Sequence, residues 1–279
     1  MLIWFVVIYL LASIGIGLYA ATRVHNAKDF AVAGRSLPMP VVTATVFATW
    51  FGAEAVFGVS ATFVKDGLRG VVADPFGASM CLIIAGIFYG TKLYKLNILT
   101  LGDFFRLRYN RTVEVLTTLC IVISYLGWVS AQIKALGLVF SVVTDGAISP
   151  TAGMILGAAI VLTYTTFGGM LSVAILDFVQ MGVVMGGMLY IGYLISGMTG
   201  GVEAVVSQAS AAGKLDFFPA AGAAEWLTFI GAWMTMMLGS IPQQDVFQRV
   251  TSARSARIAI FASILGGVLY FCFTFVPMF

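Results

Sequence analysis

Two stretches of this chain place polar and helix-weakening residues in the middle of apolar runs. The first reads Ala48-Thr49-Trp50-Phe51-Gly52-Ala53-Glu54. The second reads Leu238-Gly239-Ser240-Ile241-Pro242-Gln243-Gln244-Asp245. In hydrocarbon every unpaired backbone group is costly, so a helix break survives only where it lines a cavity buried in protein. Broken helices can turn free carbonyls toward cations and helix ends toward polar solutes. The chemistry such residues offer is non-covalent: holding an ion and a small organic molecule. A packing kink is the plain alternative for either break alone. Two breaks spaced five apolar segments apart favour binding.

Few ionisable residues lie within the apolar segments, where a charge costs at least about 2.5–3.5 kcal/mol on insertion scales. Glu54 follows the first break by one turn from Trp50. It is either a solute or cation contact or a hydrogen-bonding cap on the broken helix. Asp177 lies about two turns past Gly168-Gly169, as a cation ligand, an inner gate or a snorkelling carboxylate. Asp74 and Lys134 are placed near the outer surface. Asp245 and Arg249 are four apart and are expected to form an i,i+4 ion pair. Tyr125, Trp128 and Gln132 share one helix face, and their mixed aromatic and amide character suits a cavity wall. Trp50 adjoins the first break, and aromatic faces attract organic cations by about 0.5–2 kcal/mol per contact. Trp233 and Gln243 complete the candidate solute contacts from the second interrupted segment. Trp4 and Trp226 are read as packing or interface aromatics.

The elements that must position these residues follow from composition. Of 279 residues, 60% are apolar and 10% are charged, against about 25% charged in soluble domains. The solvent for most of the chain is therefore lipid. Cys81, Cys120 and Cys272 are scattered through apolar runs, which argues against a disulfide framework or a CxxC metal site. The one histidine, His25, sits in a polar loop. A zinc enzyme or a His-based triad is therefore disfavoured, and nothing suggests nucleic-acid binding.

A bilayer span takes about 20 apolar residues. Eight candidates cover roughly 1–21, 39–64, 71–93, 112–141, 150–168, 172–198, 226–247 and 258–279. The first lacks a basic leader and a clear cleavage site, so it reads as a retained span. With the N-terminus outside, eleven Lys and Arg residues fall in inner loops, three in outer loops and one (Lys134) within a span. That asymmetry supports the orientation. The eighth span reaches Phe279 with no polar tail, so a C-terminal continuation is expected.

Four motifs in order resemble the sodium:solute symporter family. Gly34-Arg35-Ser36-Leu37-Pro38 resembles its GRSLP entry motif. Ala48-Thr49-Trp50 with Gly52 and Gly58 is similar to its sodium-site segment. Thr163-Tyr164-Thr165-Thr166-Phe167-Gly168-Gly169-Met170, then Asp177 and Gln180, resembles its YTxxGG…TDxxQ signature. Ile241-Pro242-Gln243-Gln244 with Phe247-Gln248-Arg249 resembles its IPxQ…FQR segment.

The resemblance implies an all-α membrane protein with the LeuT-like inverted-repeat fold, present incompletely. Residues 1–21 would be an extra first helix, 39–198 the first five-helix repeat and 226–279 the start of the second. It implies sodium held by the carbonyls of Ala48 and Phe51, with hydroxyls from a later helix that this sequence does not contain. Asp177 matches an aspartate linked to sodium coupling, while Leu176 replaces the usual threonine and weakens a second sodium site. Trp50 and Trp128 look most like positions of the choline-transporter branch, but Glu54 replaces that branch's glycine, as in a galactose-transporting branch.

The expectation is thus sodium-coupled symport of a small cationic or zwitterionic solute, choline- or proline-like, in the cell's inner or plasma membrane. Sodium would be the coupling ion, with no organic cofactor. Rival readings are a sensor or scaffold domain derived from a transporter, a proton-coupled symporter using Glu54 and Asp177, and a membrane-embedded enzyme.

Overall fold

The computed structural model describes residues 2–220 and 222–278, so Met1 and Phe279, the limits of the first and last expected spans, lie outside the described residues, as does Ala221. Among the described residues the regular structure is helical, apart from one isolated bridge between Leu37 and Ala253.

Helix α1 (Leu2–Ala21) is followed by the short α2 (Ala27–Val32) and by α3 (Met39–Trp50). Pro38 and Pro40 suit the start of α3, where missing amide donors cost nothing. A π-helical turn (Glu54–Gly58) leads into α4 (Val59–Asp66), and the α3–α4 pair is bent by 53°. Helices α5 (Ala78–Ile84) and α6 (Gly90–Lys95) belong to one apolar span, Val72–Lys95. Short α7 (Leu101–Arg108) opens with a Thr100–Asp103 capping box. Then come α8 (Arg111–Val143), α9 (Pro150–Thr199), α10 (Val202–Ala211), α11 (Ala223–Gly239), α12 (Gln244–Ser252) and α13 (Ala256–Thr274). Asn110, Ser149 and Ser255 cap α8, α9 and α13 with their side-chain oxygens, satisfying amides that the helices leave free.

Among the described residues five helices are long and apolar enough to cross a bilayer, and the bent α3–α4 pair makes a sixth. Unbroken, the 50 residues of α9 would be about 75 Å long, more than twice the roughly 30 Å hydrocarbon layer. Gly169 breaks it, with φ 51° and ψ −143°. A Cβ there would stand 2.4 Å from the Phe30 carbonyl oxygen, so both conformation and space require glycine. The two arms match the expected segments 150–168 and 172–198. The expected segment 226–247 is interrupted: α11 stops at Gly239 and α12 starts at Gln244.

Helix α3 lies at the centre. Its Val42 and Val46 pack with Leu82 and Ala85, with Met170 and Ala174 of the second arm of α9, and with Val246, Val250, Ala259 and Ala262. Helix α1 seats against α9, where Ser172 Oγ donates to the Gly17 carbonyl at 2.6 Å. The outer face of α8 exposes Leu116, Leu119, Ile123 and Leu138, an apolar surface suited to lipid.

Candidate functional site

The first break is built by diverting two amides. Helix α3 ends at Trp50, and Phe51 takes φ −85° and ψ 72°. This is an inverse γ-turn, closed by Gly52 N–H donating to the Trp50 carbonyl at 3.0 Å. Ala53 N–H instead donates to Gln132 Oε1 on α8 at 3.2 Å. In a continuing helix those amides would serve the carbonyls of Ala48 and Thr49. Both carbonyls are therefore released, and the Phe51 carbonyl also receives no backbone hydrogen bond among the described residues. The oxygens expected to face sodium are free acceptors. Their residues do not line the large cavity described next; Phe51 is 7% exposed and stacks on Phe47 with ring centroids 4.9 Å apart.

The second break is a tight turn between α11 and α12. Ile241 N–H donates to the Leu238 carbonyl and Gln243 N–H to the Ser240 carbonyl, each at 3.3 Å. Gln243 is extended, with φ −85° and ψ 147°, and Pro242 precedes it. Gln243 Nε2 donates to Ser240 Oγ at 3.3 Å, which orients the amide at the end of the turn.

Between the breaks lies a cavity of about 590 Å³, within the usual range of small-molecule sites of roughly 300–1,000 Å³. Trp50, Tyr125, Trp128 and Tyr270 supply aromatic surface to it. Tyr125 and Trp128 meet edge to face at 6.3 Å, and so do Trp50 and Tyr270 at 6.4 Å. Glu54, Asp74 and Asp245 reach the wall, as do Arg249 and Gln243. Three carboxylates against one guanidinium make the lining formally anionic.

Of the expected solute contacts, Trp50, Glu54, Tyr125, Trp128 and Gln243 come together in this cavity. Two do not. Gln132 shares the face of Tyr125 and Trp128, but its side chain is spent on the Ala53 amide. Trp233 stands in an aromatic cluster with Phe217 and Phe229, each 5.8 Å away, and its buried indole N–H has no partner among the described residues.

Asp177 also lies off the cavity. Thr45 Oγ1 donates to its Oδ2. Thr49 Oγ1 donates to the Thr45 carbonyl at 2.6 Å, and Arg249 Nε donates to Thr49 Oγ1 at 2.9 Å.

The expected Asp245–Arg249 pair does not form. Asp245 accepts from Tyr125 Oη at 2.5 Å, while Arg249 turns to Thr49. Among the described residues the only ion pair is Arg106 with Glu114, at 3.8 Å. Asp74 is a cavity carboxylate, accepting from Tyr270 Oη at 2.5 Å, a role not assigned to it from the sequence. A carboxylate beside Pro75 in an otherwise apolar run was the signal that could have found it. Tyr270, in an unbroken apolar helix, carried no such signal.

The family model for the sodium:solute symporter family matches residues 30–279. High affinity choline transporter 1 of Homo sapiens is 29% identical over 277 residues, covering 95% of this chain and 46% of that protein. The high-affinity choline transporter 1 of Torpedo marmorata is 30% identical over 273 residues, covering 93% and 46%. Sodium-coupled monocarboxylate transporter 2 of Danio rerio is 27% identical, covering 93% and 43%. The chain thus spans about half the length of these relatives. Among solved structures, a Na+-coupled sialic acid symporter in a substrate-bound, outward-open state superposes with a TM-score of 0.81 at 20% identity, over 97% of this chain and 57% of that one. The fold is therefore the LeuT-like helical fold expected from the sequence.

Proposed function

The chain belongs to the sodium:solute symporter family, a family of transporters and not of enzymes, and from that premise we propose that it carries the solute site of a sodium-coupled symporter for a compact organic cation resembling choline. One observation carries the reading: the cavity between the two breaks joins four aromatic rings to three carboxylates and a single arginine. A quaternary ammonium group cannot be held by N–H donation. Aromatic faces and fixed negative charge are what remain to bind it, and this wall supplies both. A carboxylate solute, of the kind named for the monocarboxylate relatives, would meet net like charge.

In this proposal Trp50, Tyr125 and Trp128 form the aromatic wall, Glu54 adds charge and Gln243 offers an amide to a hydroxyl. Sodium is the co-transported ion, met by the freed carbonyls of Ala48 and Phe51, with Asp177 as the coupling carboxylate. No organic cofactor takes part. The setting is the cell's inner or plasma membrane. A potential of 100 mV contributes about 2.3 kcal/mol per sodium charge, enough for roughly 50-fold accumulation.

The test is equilibrium binding of radiolabelled choline to the chain in lipid nanodiscs, in sodium chloride and in potassium chloride. Saturable binding that tightens in sodium is expected. Absence of saturable binding, or displacement of choline by a monocarboxylate but not by other quaternary amines, would overturn the proposal.

A further inference from the structure

The cavity carboxylates are not equivalent. Asp245 faces the cavity beside Arg249, one helical turn away on α12, and its Oδ1 is taken by Tyr125. It shares α12 with the cavity's arginine without pairing to it, since Arg249 donates to Thr49. Glu54 and Asp74 share the wall, and among the described residues Arg249 is the only cation in the lining. Glu54 is exposed and makes no side-chain hydrogen bond among the described residues. Asp74 is fixed. Its Oδ1 accepts from Tyr270 Oη at 2.5 Å, and Tyr270 is itself only 1% exposed. Asp74 Oδ2 accepts no hydrogen bond from any described residue. Asp74 has φ −138° and ψ 116° inside a π-helical segment, a departure from helical geometry that sets this residue apart from its neighbours.

Tyr270 has a second role in the same place. Its ring is edge-on to Trp50 at 6.4 Å and to Phe51 at 6.2 Å. One side chain thus fixes a carboxylate with its hydroxyl and braces the aromatic wall at the first break with its ring. A positioned charge discriminates better than a mobile one, because ordering it costs nothing when the solute arrives.

We propose that Asp74, held by Tyr270, is the charge-selecting residue of the cavity: it distinguishes a monocationic solute from a neutral one of the same shape. The inference rests on the proposed function and assigns the selectivity of that site to one residue pair. The aromatic wall alone would take up a neutral tert-butyl group on hydrophobic grounds. Asp74 adds a term that only a cation feels. Tyr270 supplies no charge but keeps the carboxylate oriented, so it is a positioning residue.

The experiment compares choline with its neutral carbon analogue, in which a tert-butyl group replaces the trimethylammonium, for binding to the chain in nanodiscs. The wild-type chain is expected to favour choline by at least about 30-fold, and Asp74→Asn to lower that preference by about tenfold or more. Binding of the neutral analogue should stay within about twofold, which also shows that the variant is folded. Asp74→Glu should restore part of the preference. Tyr270→Phe should lower it by a smaller factor, and it serves as the reading if Asp74→Asn does not fold. A choline preference that survives both Asp74→Asn and Tyr270→Phe overturns this inference and leaves the proposed function standing. Equal binding of the two ligands by the wild-type chain overturns both.

Discussion

Arg249 Nε donates to Thr49 Oγ1 at 2.9 Å, so the helix after the second break is tied to the last turn before the first. From Thr49 the connection continues through the Thr45 carbonyl, and from Thr45 Oγ1 to Asp177. A chain of four residues thus joins the cavity wall to the second arm of α9. Thr45 is fully buried and lies outside the cavity lining, which makes it the clean place to cut the chain. Thr45→Val keeps the shape but removes the hydroxyl that Asp177 accepts from. A buried carboxylate deprived of a donor costs about 1–3 kcal/mol, so the thermal unfolding midpoint should fall. If the chain also couples Asp177 to the cavity, the sodium concentration for half-maximal choline binding should rise severalfold. An unchanged midpoint and an unchanged sodium curve would reduce the contact to a bystander.

The first break depends on a residue from another helix. Gln132 Oε1 satisfies the Ala53 amide, and a Cβ on Gly52 would stand 3.1 Å from the same oxygen. Gly52 therefore leaves the room in which that amide is reached. Gln132→Leu should strand the Ala53 N–H, cost about 1–3 kcal/mol and accelerate hydrogen exchange at Ala53 while amides within α8 stay protected. Equal exchange at Ala53 in the two proteins would count against the capping role. Gly52→Ala should produce a milder version of the same defect by pushing the Gln132 amide aside.

Both breaks were legible because glycine, proline and polar side chains are conspicuous in apolar runs, where each carries a cost. The division of α9 was legible for the same reason, as a polar dip around Gly168 and Gly169. Local periodicity also placed Tyr125 and Trp128 on the cavity face of α8. What it cannot give is the partner of a side chain. Gln132 lies on the expected face but serves a backbone amide 79 positions away. Asp245 and Arg249 have ideal spacing for each other, and each is taken by a hydroxyl from another helix. Asp74 and Tyr270 are 196 positions apart, so nothing short of the assembled fold reveals that they form one unit. Trp233 fails for a related reason: its place near the second break is real, but its ring turns to Phe217 and Phe229.

That difference between tryptophans gives a direct test of the cavity's boundaries. Trp128 lines the cavity, is 42% exposed and meets Tyr125 edge to face. Trp128→Ala removes a face from the cation's surroundings, a loss of about 0.5–2 kcal/mol, or roughly 2- to 30-fold in choline affinity. Little inside the protein leans on it, so the unfolding midpoint should change slightly. Trp233 is the reverse. It is half-buried among phenylalanines and is not among the residues lining the cavity, so Trp233→Ala should lower the midpoint and leave choline affinity within about twofold. Loss of packed aromatic volume drives the first effect, and absence from the cavity lining explains the second. Measuring affinity and midpoint on both variants separates the roles. The opposite pattern, with Trp233→Ala weakening choline binding and Trp128→Ala leaving it intact, would move the solute site away from α8 and toward α11.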